Sequence, residues 1–133
     1  MESSGTQIRA VLIGLPPLLG ASAPAHLLPL TKALEALPAQ MADAGIQYEF
    51  ATVKPEEGGL AELGPKLQSQ RPDVVIIGNG IRSNMELTHF MEQIIDIVRT
   101  HAPQAKLAFN TRPNNSIDAV KRWLPTSVAA KSE

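Results

Sequence analysis

Two short stretches of the 133-residue chain concentrate groups able to hold a small polar ligand. One is Gly78-Asn79-Gly80-Ile81-Arg82-Ser83-Asn84, the other Asn110-Thr111-Arg112-Pro113-Asn114-Asn115-Ser116. In the first, two glycines let the backbone turn tightly and approach a ligand, and Ser83 with Glu86 forms an S-x-x-E capping box opening a helix whose free amides attract anions. Arg82 would sit at the positive end of that helix dipole, where a cation is disfavoured by up to about 1 kcal/mol. A negative partner is called for, either a bound anion or Glu86 four residues on. The second stretch places Arg112 and several neutral hydrogen-bonding side chains ahead of a helix begun near Ser116. Asn114 and Asn115 suit an ordinary turn or helix cap, whereas Asn110 and Thr111 come directly off a strand end.

Acid–base chemistry is thinly supplied. His26 after the first apolar run and Asp118 in the first turn of the last helix are the general acids or bases nearest these loops, and spacing gives neither a partner. His101, beside Ala102-Pro103, reads as a helix C-terminal cap and His89 as a surface residue. The intervals between the three histidines fit no HExxH-type spacing, and the absence of cysteine removes thiolate ligands, thiol nucleophiles and disulfides. Neither a metal nor a cofactor is predicted. There is no complete GxGxxG after the first strand, no GxxxxGK[ST] and no GxSxG elbow, and Asn84 and Met85 stand where a third glycine could follow Gly78 and Gly80. A phosphoacceptor receiver would need acidic residues where Leu15-Pro16 and Asn79 stand.

The elements that must position these loops are four apolar runs alternating with helical patterns. The runs are 8–14, 48–53, 73–78 and 106–110. Val11-Leu12-Ile13 and Val74-Val75-Ile76-Ile77 are apolar without alternation, as in strands covered on both faces. Ile46, Tyr48, Phe50 and Thr52 alternate with polar or small residues, which suits an edge strand. Leu87, Phe90, Met91, Ile94, Ile95 and Val98 predict a helix over 83–100 with one buried face. Leu30, Leu34, Leu37 and Met41 predict another that ends at Gly45, with Pro38 kinking it or dividing it into two short helices. Leu60, Leu63 and Leu67 give a short helix interrupted by Gly64-Pro65. Ile117, Val120, Trp123 and Leu124 give a last one stopped by Pro125.

Such alternation implies right-handed crossovers and an α/β fold: a short parallel sheet of four strands in the order 2-1-3-4, with helices on both faces, Rossmann-like or flavodoxin-like. Residues 1–125 form a single domain and 126–133 a loose tail. Ligands of such sheets bind beyond the carboxyl ends of the strands where the order reverses, which adds Gly14, at the end of the first strand, to the candidate site. The expected ligand-binding set is Gly14, Gly78, Asn79, Gly80, Arg82, Ser83, Asn110, Thr111 and Arg112.

Twelve basic residues against thirteen acidic ones leave a formal charge of -1, without the basic excess of a nucleic-acid binder. No apolar run is long enough to cross a bilayer. Residues 1–23 resemble a signal peptide ending in Ala21-Ser22-Ala23, but Glu2, the interruption at Pro16-Pro17 and Pro24 after the cut argue against export, and a cytoplasmic location is expected.

Val75-Ile76-Ile77-Gly78-Asn79-Gly80-Ile81-Arg82, Thr100-His101-Ala102-Pro103, Phe109-Asn110-Thr111-Arg112-Pro113 and Asp118-Ala119-Val120-Lys121-Arg122-Trp123 resemble an uncharacterised family of small bacterial and fungal α/β proteins. Its pattern is VVIGxGxR followed by FNTxPxDTxxAVxRW. The resemblance covers mainly the second half of the chain. It implies the same fold, marks Gly78, Gly80, Arg82, Asn110, Thr111 and Trp123 as matching positions, and implies no reaction. Asn115 stands where the pattern has Asp. The expected function is binding of a small anionic or polar molecule at the carboxyl ends of the strands. The alternatives are a metal-independent hydrolase, lyase or isomerase of such a molecule, and a homodimeric interaction module using the edge of the fourth strand.

Overall fold

The computed structural model describes residues 8–15, 28–110 and 115–123. Four parallel strands, β1 (Ile8–Gly14), β2 (Ile46–Thr52), β3 (Val74–Ile77) and β4 (Lys106–Phe109), form one sheet in the order β2-β1-β3-β4. This is the expected Rossmann-like α/β topology, with β2 at an edge. The helices are α1 (Leu28–Asp43), α2 (Leu63–Gln70), the single turn α3 (Asn79–Arg82), α4 (Thr88–His101) and α5 (Ser116–Lys121).

The pleat sends alternate side chains to opposite faces, and each face builds its own core. Val11, Ile13, Val75 and Ile77 pack with Leu63, Leu67, Ile81, Phe90, Ile94 and Val98 beneath α2, α3 and α4. Ala10, Leu12, Val74 and Ile76 pack with Leu37 and Met41 of α1 and Ala119 and Val120 of α5 on the other side. The uninterrupted apolar runs of β1 and β3 follow from this double burial: Val75, Ile76 and Ile77 are all fully enclosed. Full burial of such a side chain contributes roughly 1.5–3 kcal/mol.

Three local expectations change. The helix containing Pro38 is continuous from Leu28 to Asp43 rather than two short helices. Pro38 is exposed, while Leu37 and Met41 face the core, so the ring lies away from the sheet. The helix closes at Gly45, whose φ of 78° is the left-handed conformation that glycine adopts without strain. Gly64 and Pro65 do not interrupt α2 but sit in its first turn, where the missing proline N–H would have had no helical partner.

The third change bears on the site. In place of one helix over 83–100 there is α3, then a 3-10 turn at Met85–Leu87, then α4. The Ser83–Glu86 capping box does not form, because the Ser83 hydroxyl donates backwards to the carbonyl of Asn79 at 2.7 Å. Asn84 caps instead, its Oδ1 accepting from the Glu86 N–H at 3.0 Å.

Candidate functional site at the strand ends

β1 and β3 end side by side, and two glycines permit it. The Gly78 N–H donates to the Ile13 carbonyl at 2.9 Å, and a β-carbon at Gly78 would lie 3.3 Å from that same oxygen. A β-carbon at Gly14 would meet the Phe50 ring at 3.0 Å. Close packing therefore explains both. Gly80 differs: it is exposed, its φ is not positive, and no described atom lies within 4 Å of where its β-carbon would be. Neither backbone conformation nor packing among the described residues requires a glycine there.

Asn110, the residue after β4, is 3% exposed, and its carboxamide is used at both ends. Oδ1 accepts from the Asn79 N–H at 3.0 Å, and Nδ2 donates to Ser116 Oγ at 2.9 Å. Asn79 opens α3, so a side chain from a neighbouring strand end caps a helical amide that an anion could otherwise take. Ser116, completely buried, anchors the other end of the link at the start of α5. Asn110 is thus a staple between two loops rather than a side chain presented to a ligand.

Arg82 turns to the end of β4 and not to Glu86. Its Nη2 donates to the Asn110 carbonyl at 2.7 Å and lies 3.5 Å from Asn79 Oδ1, and its guanidinium carbon sits 5.2 Å from the centre of the Phe109 ring. The contact with the aromatic face helps hold the charged group in place. Arg82 Nε is buried and has no hydrogen-bond partner among the described residues. Arg122, which sequence reasoning missed, donates from Nη2 to the adjacent Phe109 carbonyl at 3.0 Å. Two guanidinium groups thus meet consecutive carbonyls at the end of β4. The available signal for Arg122 was a cation just past the C-terminus of a helix.

The structure brings Gly14, Gly78, Asn79, Gly80, Arg82 and Asn110 to one end of the sheet. Ser83 is exposed and closes α3, and Asp118 is exposed in the first turn of α5. His26, Thr111 and Arg112 lie outside the described residues. His89 is exposed and within 3.2 Å of Glu92. His101 ends α4 with its ring against α2, where a β-carbon at Gly64 would come within 2.7 Å of Nε2.

Fold and geometry together define a small Rossmann-like α/β domain whose strand ends carry a half-buried arginine. No family model, curated protein or solved structure matches the chain.

Proposed function

We propose that this protein binds a small anionic molecule at the carboxyl ends of β1, β3 and β4, with Arg82 as the principal contact. The observation that carries the reading is Arg82 itself. Its guanidinium is held in place by the Asn110 carbonyl and the Phe109 ring while Nε, a buried donor, has no partner among the described residues. A buried donor left unpaired costs about 1–3 kcal/mol, and an anion reaching Nε would remove that cost with a charge-assisted bond. Gly80, bare and exposed on the same turn, leaves room for the approach. Arg112 and Thr111 belong to the proposed site through their place in the sequence, and the family resemblance of the second half of the chain is part of the same proposal.

The test is thermal shift and calorimetry with inorganic phosphate and simple di- and tricarboxylates. At least one anion should stabilise the wild type, and Arg82→Ala should abolish the response. Arg82→Lys, which keeps the charge but lacks Nε, should weaken it. An equal shift in wild type and Arg82→Ala rules the site out.

A homodimer is the second reading, favoured by one observation: β4 is an edge strand, with Phe109 37% exposed in it and Trp123 46% exposed near its first residue, Lys106. Light scattering across a dilution series tests it, and a monomer at every concentration rejects it.

A further inference from the structure

A pocket lies on the sheet face beside α2, away from the carboxyl ends of the strands. The eight-residue α2 ends at Gln70, whose carbonyl meets Arg9 in the amino-terminal half of β1. On that half of the face the apolar pattern stops. Arg9 pairs in register with Gln47, and Val11 with Glu49, so polar side chains occupy positions that Ala51 and Val53 fill further along. Together with Gln70, the last residue of α2, they line a cavity of about 210 Å³, which adjoins a groove of about 580 Å³ between β2 and α2.

The cavity carries charges of both signs and one unmet acceptor. Arg9 Nη1 donates to the Gln70 carbonyl at 3.2 Å, a cation at the negative end of α2. Glu49, which lines the cavity, has Oε2 3.6 Å from Nζ of Lys66 in the adjoining groove. Gln70, which also lines the cavity, has its Oε1 buried with no donor among the described residues. A buried acceptor is ordinarily satisfied, and one that is not marks a place for a donor from outside the chain.

We propose that this cavity is a binding site for a free amino acid or a zwitterion of that size. The ligand's carboxylate meets Arg9, and its ammonium donates to Gln70 Oε1 and faces Glu49. Arg9, Glu49 and Gln70 line the same cavity, and Arg9 touches Gln70 through its main-chain carbonyl.

Calorimetric titration of the full chain with each of the twenty amino acids tests the proposal, with acetate and methylammonium as single-pole probes. At least one amino acid should bind saturably in the millimolar range or tighter, and each single-pole probe at least tenfold more weakly. Gln70→Leu and Glu49→Gln should each weaken binding tenfold or more, with circular dichroism reporting that both variants remain folded. Absence of saturable binding, or equal affinity in Glu49→Gln and wild type, overturns the proposal. So does binding that Arg82→Ala abolishes and Gln70→Leu spares, since that ligand sits at the strand ends.

Discussion

Replacing Asn110 by alanine is expected to cost the fold about 3 kcal/mol, and the figure can be built from its contacts. Two hydrogen bonds are lost, to the Asn79 N–H and to Ser116 Oγ, each contributing about 1 kcal/mol net. The completely buried Ser116 hydroxyl is then orphaned, which adds about 1 kcal/mol or more. Such a loss is a large part of the roughly 5–15 kcal/mol that stabilises a domain and should lower Tm by about 10 °C. Urea unfolding followed by circular dichroism gives the measurement. Ser116→Ala should cost about 1–2 kcal/mol, and the double variant should fall short of the sum by about 1 kcal/mol because the two side chains share a bond. A loss below about 1 kcal/mol in Asn110→Ala would refute the staple. Wild-type stability combined with a lost anion response would show instead that Asn110 faces a ligand.

Other substitutions separate packing from function. Gly78→Ala should destabilise by about 1 kcal/mol, since the new methyl crowds the Ile13 carbonyl, whereas Gly80→Ala should stabilise by about 0.5 kcal/mol while weakening anion binding; urea midpoints and phosphate titration read both. Pro38→Ala should stabilise by about 2 kcal/mol, the interior cost of about 3 kcal/mol less up to about 1 kcal/mol of restored chain entropy, as measured by thermal unfolding. Burial pushes the Tyr48 hydroxyl above its ordinary value of about 10. The unfolded chain therefore releases this proton first, so stability from this group is complete below pH 10 and declines as pH rises above it. Tyr48→Phe should flatten that decline, and since the hydroxyl is buried without a partner among the described residues, neutral-pH stability should hold or rise. A variant whose stability falls as steeply as wild type above pH 10 would assign the decline to other groups.

The parts of the molecule legible in the sequence are those whose signal is local and repeated. Val74-Val75-Ile76-Ile77 read as a strand covered on both faces, and the alternation about Tyr48 and Phe50 marked β2 as an edge, so the strand order followed from the crossover rules. Leu37 and Met41, and Phe90, Ile94 and Val98, repeat at helical spacing and are buried as that spacing implies. Capping was less legible. Ser83 and Glu86 have the right separation for a box, but the Ser83 hydroxyl has a competing acceptor in Asn79, four residues back in a turn no propensity announced.

By itself the sequence determined the sheet, its order, and the end at which Gly14, Gly78, Arg82 and Asn110 gather, because hydrophobic periodicity and chain connectivity suffice for those. Only the tertiary structure decided what each gathered residue does. It consumed the carboxamide of Asn110 in joining Asn79 to Ser116, across separations of 31 and 6 residues, and turned Arg82 onto a carbonyl 28 residues away rather than onto Glu86. A side chain's hydrogen-bonding capacity is divided among whatever groups the fold brings within about 3 Å of it, and those partners come from other elements, where no spacing along the chain foretells them.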